Sequence, residues 1–131
     1  MTDLEKSELL VAELLDSLST QGTRIEVYNH AEFPWLAGDP GLFRNTVQWL
    51  AEEGVVRALW HESSTMRDPV VGIVLTSLGF QLLSRKFKGE LSLIDAAKEV
   101  RDGKASYANP DAGGFVGGIL GGFTKSIMGT P

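Results

Sequence analysis

The sequence predicts a mixed α+β fold in which amphipathic helices pack around a small β-hairpin. Helical periodicity is clear in residues 3–18 and 40–53, where apolar side chains recur every three or four positions. Two short, β-branched segments, residues 55–60 and 70–75, are joined by a polar loop. The chain has 131 residues, 43% of them apolar, which is enough for one domain with a single core.

The first predicted helix covers residues 3–18, and Gly22 is expected to follow its end. Its apolar face is formed by Leu4, Leu10, Val11, Leu14, Leu15 and Leu18. Residues 23–29 then alternate between polar and apolar, which places Ile25 and Val27 on one face and Tyr28 on the other. This alternation predicts a short, half-buried strand.

The second predicted helix covers residues 40–53, with Asp39 as its N-cap and Pro40 in its first turn. Before it, Pro34 limits residues 31–36 to a short helical turn. Inside the helix, an apolar stripe is expected to face the core: Phe43, Val47, Leu50 and Ala51. Gly54 is expected to end the helix with a positive φ.

The predicted hairpin leads into a third helix that Thr76 would cap, covering residues 77–87. Gly79 lies in its first turn, where a small residue allows close packing. Ser92 and Asp95 form a capping signal for a further C-terminal helix that ends at Gly103. We therefore expect a domain over residues 1–103, a linker over 104–112 and an apolar tail over 113–131.

This order of elements resembles the winged helix-turn-helix superfamily over about residues 3–87. The resemblance is carried by "LFRNTVQWLAEEGVVRALW", by the hairpin, and by "VLTSLGFQLLSRK", in which Leu75, Thr76, Gly79, Leu82 and Leu83 form an L-T-x-x-G-x-x-L-L phrase. The resemblance implies a winged-helix fold with the hairpin as its wing. It also implies that residues 40–53 occupy the position of a recognition helix.

If that helix reads DNA, its exposed face would present Arg44, Asn45 and Gln48, with Arg67 on the wing. Arg, Asn and Gln are the side chains that recognise guanine and adenine edges. However, residues 23–69 contain four arginines against seven acidic residues, a net charge of −3 by subtraction. Affinity for DNA depends on a basic surface, so the electrostatics disfavour this interpretation.

Composition excludes several other classes of site. There is no cysteine, which rules out disulfides and thiolate chemistry, and the two histidines, His30 and His61, lack the spacing of a metal pair. No catalytic residues are identified, since His61, Ser63 and Ser64 form a polar loop without a nucleophile elbow. We expect a non-enzymatic protein without metal or cofactor. The acidic N-terminus has no secretion signal, which predicts a cytoplasmic location.

The tail contains "GGFVGGILGGFTKSIMG", residues 113–129, with glycine pairs every four positions. It resembles a glycine zipper, which lets two helices approach closely. From Phe115 to Met128 the segment has 14 residues, or about 21 Å as a helix, which is short of the ~30 Å hydrocarbon core of a membrane. The residues expected to mediate self-association or docking are Gly113, Gly114, Phe115, Gly117, Gly118, Ile119, Leu120, Gly121, Gly122 and Phe123.

Together these features predict a non-enzymatic interaction or assembly module. Its tail would bind a second copy, making a homo-oligomer, or a protein partner. Two alternatives remain open: a DNA-binding transcriptional regulator that uses helix 40–53, and a membrane-associated or toxin-like protein that inserts its tail without spanning the bilayer.

Overall fold

The computed structural model describes residues 3–36, 38–84, 86–88 and 91–92, together with residues 95 and 102. Two short 3₁₀ turns, His30–Glu32 and Pro34–Leu36, connect the first strand to the second helix. The helices are α1 (Asp3–Gln21), α2 (Pro40–Glu52) and α3 (Ser77–Ser84). The strands are β1 (Glu26–Asn29), β2 (Val56–Trp60), β3 (Val70–Leu75), β4 (Lys86–Lys88) and β5 (Leu91–Ser92).

Three strands form an antiparallel sheet in the order β1-β3-β2. The β2–β3 hairpin pairs Ala58 with Ile73, and β1 adds to the other side of β3, where Glu26 also pairs with Ile73. β4 and β5 form a separate two-stranded hairpin. The predicted α+β class and the β2–β3 hairpin are confirmed, and the layout is compatible with a winged-helix-like arrangement.

The core lies between the inner face of the sheet and the helices α1 and α2. Most of the apolar stripes predicted from periodicity are confirmed, because Leu14 and Leu18 of α1 and Phe43 and Val47 of α2 are all fully buried. Ala51 is only partly buried, and the burial of Leu4 lies outside what the structure describes. The sheet contributes Val71, Ile73 and Leu75 of β3 to the same core. This central cluster fixes the orientation of the sheet relative to both helices.

A hydrogen-bonded side chain joins the end of α1 to the sheet. The Gln21 Nε2 group donates to the backbone oxygens of Arg24 and Ile73, each at 2.6 Å. The Tyr28 hydroxyl donates to Gln21 Oε1 at 2.6 Å, so the Ser17 hydroxyl, 2.7 Å from it, acts as its donor. These bonds satisfy polar groups where α1, β1 and β3 meet.

The turn after α2 packs closely against the start of α3. Gly54 has φ of +81°, as predicted, and ends α2. Thr76 caps α3 as predicted, because its hydroxyl accepts from the Gly79 N–H at 3.0 Å. The same hydroxyl lies against the Gly54 and Val55 carbonyl oxygens. A Cβ on Gly79 would overlap the Val55 oxygen, which explains the glycine there.

The structure decides which side of β1 is buried, a point that alternation left open, and it moves the ends of two predicted helices. The alternation in β1 is real, but the buried side is that of Tyr28, whereas Ile25 and Val27 are 48% and 56% exposed. Burial of the Tyr28 ring and its two hydrogen bonds decides this orientation. α1 continues to Gln21 rather than ending at residue 18, because the backbone bonding extends one more turn, with the Gly22 N–H donating to the Leu18 oxygen at 3.3 Å. α3 ends at Ser84 rather than at residue 87, because the next residues of the described chain pair in β4.

The predicted C-terminal elements lie mostly outside the described residues. Within the expected C-terminal helix, Asp95 is helical, and the rest of residues 93–101 lies outside the described residues. The linker 104–112 and the tail 113–131 lie outside them too. In the described ranges, no helix has the length and apolar character needed to cross a membrane.

Glu8 is a buried carboxylate on α1, only 3% exposed. Burial, and then repulsion from Glu5, raises the pKa of Glu8 above its ordinary value of 4.5. A carboxyl with a raised folded-state pKa stabilises the fold while it is protonated, and that stability is lost as the pH rises through the folded-state pKa. We therefore expect Glu8→Gln to increase the melting temperature at neutral pH and to flatten its fall from acidic to neutral pH.

Thermal unfolding followed by circular dichroism over a series of pH values measures this effect. The control is Glu62→Gln, the same change at an exposed position of the β2–β3 loop, for which we expect little change. An unaltered pH dependence in Glu8→Gln would contradict the assignment of this destabilising charge to Glu8.

Candidate functional site

The exposed face of α2 carries a connected group of side chains centred on Trp60 of β2. The Arg44 guanidinium lies over the Trp60 ring, 5.0 Å from its centroid. Trp60 Nε1 donates to Gln48 Oε1 at 3.4 Å, and Gln48 Nε2 donates to Glu52 Oε1 at 3.3 Å. Asn45 is exposed on the same helix. Cation–π and hydrogen-bond contacts therefore engage two of the three predicted reading residues within the protein.

The fourth predicted DNA-contacting residue, Arg67, is exposed in the connection between β2 and β3. Internal hydrogen bonds shape that connection: Ser64 Oγ accepts from the Val70 N–H, and Thr65 Oγ1 accepts from the Asp68 N–H, both at 2.9 Å. The structure thus brings Arg44 and Gln48 together around Trp60 and places Arg67 on the wing. DNA recognition by these residues stays a prediction.

The same loop contains a histidine–serine contact. Nδ1 of His61 lies 2.7 Å from the Ser63 hydroxyl. It also accepts a hydrogen bond from the Ser63 backbone N–H at 3.1 Å, so Nδ1 is the unprotonated nitrogen in this arrangement. Both contacts span two residues of an exposed turn. They account for the local shape of the loop without invoking nucleophilic catalysis, which also needs a base oriented by a third group.

An acidic cleft of about 540 Å³ lies between α1 and β1. It is lined by Asp16, Ser17, Thr20, Gln21, Glu26, Val27, Tyr28 and Glu32. The pKa of the Tyr28 hydroxyl is raised above its ordinary value, chiefly by burial. The hydrogen bond from Ser17 partly offsets this, and the charges of Glu32 and Glu26 add to it. Across the described ranges, no group of three or more His, Asp or Glu side chains is arranged to hold a metal ion.

The outer face of the sheet carries exposed apolar side chains, together with the exposed Arg57 of β2, which pairs with Val74. Val27 of β1 and Leu59 of β2 are both cross-strand partners of Gly72 in β3, so the two side chains stand on either side of it. Gly72 has no side chain, and a Cβ there would come within 3.0 Å of Ile25 Cγ2. The glycine therefore lets Ile25 lie against the middle strand, and we call Ile25, Val27, Leu59, Gly72 and Val74 the apolar sheet face.

A cavity of about 330 Å³ lies at the α3 end of the apolar sheet face. Its walls include Ile25 and Val74 of that face, Phe80 of α3, and Arg57 of β2. Phe80 is 37% exposed and Leu59 is 48% exposed, whereas core residues such as Leu50 are about 1% exposed. Large apolar side chains concentrated on one exposed surface mark an interaction site.

Sequence reasoning missed this surface because alternation alone does not reveal which face of a strand is buried. One signal was present: a glycine in the middle of "VVGIVL". A glycine inside a strand often marks the close approach of another group. Here that group is the Ile25 side chain.

No protein-family model matches the chain, and no curated protein or solved structure is similar enough to it to count as a match. The functional assignment therefore depends on the geometry described above.

Proposed function

We propose that this chain is a non-enzymatic winged-helix protein that acts as an interaction and assembly module, with its tail, residues 113–131, as the association element. The tail mediates self-association, or alternatively it docks to a protein partner. The observation that carries the proposal is the apolar sheet face, where Val27 and Leu59 are about half exposed on either side of Gly72.

The order of elements supports the winged-helix part of this proposal. A helix, a short strand, a second helix and a hairpin follow one another, and the first strand pairs with the second strand of the hairpin. The helix that would precede the recognition helix is replaced by two 3₁₀ turns, Pro34–Leu36 being the second. Winged helices can serve as protein-interaction modules, because a fold does not determine its function.

The chemistry of the α2 face supports protein interaction rather than base reading. Arg44 is stacked on Trp60, and Gln48 bonds to both Trp60 and Glu52. A base contact would have to replace these internal contacts beside the carboxylate of Glu52, which repels phosphate. Tryptophan and arginine are, by contrast, the residues most often found at the energetic centres of protein interfaces.

The composition of the tail supports its role in association. Residues 113–123 contain only glycine, phenylalanine, valine, isoleucine and leucine. Each glycine in a helix interior costs about 1 kcal/mol relative to alanine. A glycine-rich helix in water therefore needs a partner surface that compensates for this loss.

Light scattering of the full chain over a range of concentrations tests the proposal. We expect dimers or larger species at high concentration, and monomers for the double variant Ile119→Asp/Phe123→Asp, because two buried carboxylates would oppose association. The double variant Ser106→Asp/Asn109→Asp adds the same charge in the linker 104–112, outside the tail, and should associate like the unmodified chain. Equal masses for all three proteins at every concentration would refute self-association through the tail.

A further inference from the structure

The apolar sheet face is the side of the three-stranded sheet that does not pack against α1 and α2. β1, β3 and β2 bury their other face against α1 and α2, where Tyr28, Val71 and Ile73 lie in the core. On the outer side, Ile25, Val27 and Leu59 stay about half exposed. This surface needs an apolar occupant if it is to leave water.

The described chain approaches this surface on its way to the tail. α3 carries Phe80 in the wall of the cavity and ends one turn later, at Ser84. In the β4–β5 hairpin, Lys86 pairs with Ser92, so the backbone returns to the end of α3. The path to the tail therefore starts near the end of α3, about one turn beyond Phe80.

The remaining length is sufficient to reach the whole face. Twenty residues, 93–112, separate Ser92 from Gly113. As the predicted helix, residues 93–103 would span about 16 Å, and residues 104–112 reach at most about 30 Å when fully extended. Three strands at about 4.8 Å spacing cover only about 10 Å between the outer two.

The tail matches the surface in chemistry. Residues 113–123 carry no charge and place large apolar side chains at Phe115, Ile119 and Phe123, four positions apart. Among the described residues that line the cavity, Arg57 alone is charged. Because the tail is covalently joined to this domain, its effective concentration there exceeds that of a second copy in dilute solution.

We propose that residues 113–123 dock in cis on the apolar sheet face and its adjoining cavity, so that the tail of an isolated chain is held by its own domain. This inference rests on the proposed function, because the same segment then becomes available for self-association only when it leaves the face. Docking and association compete for one set of apolar side chains.

A disulfide trap tests the docking directly. Because the chain has no natural cysteine, only the two introduced cysteines can form a disulfide. The full chain carrying Leu59→Cys and Ile119→Cys is oxidised at low concentration. We expect an intramolecular disulfide, detected as a monomer whose mass falls by two hydrogens. The matched pair Met66→Cys/Ile119→Cys places the first cysteine on an equally apolar but 70% exposed residue of the β2–β3 loop. The inference is wrong if this control forms the bond as readily, or if the Leu59 pair forms disulfides mainly between two chains.

A charge on the face gives an independent readout. Leu59→Glu should release the tail from its own domain. Because the released tail is then available for self-association, the midpoint of self-association should move to a protein concentration about tenfold lower. Met66→Glu adds the same charge on the loop and should leave the midpoint unchanged. If Leu59→Glu instead abolishes association, the face binds the tail of a second copy, so the inference in cis fails while the proposed function stands. If the intramolecular disulfide forms but the Asp variants of the tail associate normally, the proposed function fails and the docking stands.

Discussion

Replacing Gly79 by alanine is expected to destabilise the fold by about 3 kcal/mol, the upper range for overpacking a tightly packed site. A Cβ at this position would overlap the backbone oxygen of Val55 and come within 3.0 Å of Leu75 Cδ2. The Val55 oxygen cannot easily move away, because it also accepts hydrogen bonds from the Thr76 backbone and hydroxyl. α3 would have to shift as a whole, which would separate it from the turn after α2.

Chemical denaturation measures this loss, and thermal unfolding should show a decrease in melting temperature on the order of 10 °C. The chain provides a matched control in Gly41→Ala, the same substitution in the first turn of α2. A Cβ on Gly41 would meet only Asp39 Oδ1, at 3.9 Å. That variant should be unchanged or more stable by up to about 1 kcal/mol, because alanine favours the helix. Equal stabilities of the two variants would disprove the close contact between α3 and the turn.

Replacing Phe43 by alanine is expected to cost about 3–5 kcal/mol, the range for removing a buried phenylalanine ring. Phe43 is fully buried in α2 and its ring lies 5.9 Å from that of Phe33. Phe33 in turn contacts the Trp35 ring edge-on at 6.3 Å. The ring of Phe43 therefore anchors to the core the segment that connects β1 to α2.

Urea denaturation measures the loss in the free energy of unfolding, and hydrogen exchange shows which part of the chain is destabilised. The Leu36 amide donates to the Phe33 oxygen at 2.7 Å. In Phe43→Ala, the exchange rate of this amide should increase more than the exchange rates of the amides in β3. Phe43→Leu retains most of the apolar volume and should lose distinctly less stability. If the leucine and alanine variants were equally stable, Phe43 would not be the anchor of this connection.

Much of the local structure was predictable, because capping and periodicity depend on neighbours in sequence. Asp39 caps α2 by accepting a hydrogen bond from the Leu42 N–H at 3.2 Å, Gly54 has the expected positive φ, and Gly22 follows the end of α1 as predicted. The stripes of α1 and α2 also face the core as their spacing predicts. Each of these features is set within a few residues of chain.

The candidate site was less predictable, because it combines residues far apart in sequence. Ile25 and Val27 are more apolar than their neighbours, yet Tyr28 is buried in their place, since its hydroxyl finds Ser17 and Gln21 on α1. Strand alternation is symmetrical, so only the position of α1 decides which face is covered. The stacking of Arg44 on Trp60 likewise depends on how α2 packs against β2.

The sequence by itself determined the α+β class, the start of α1, the bounds of α2 to within one residue, the hairpin and the small residue at position 79. Those properties follow from short-range hydrogen bonding, backbone conformation and the spacing of apolar residues. Only the tertiary structure decided that β1 joins β3 at the edge opposite β2, and that the outer side of this sheet carries exposed apolar side chains. The physical reason is that strand pairing and burial are set by contacts between distant segments, whose geometry no local pattern specifies.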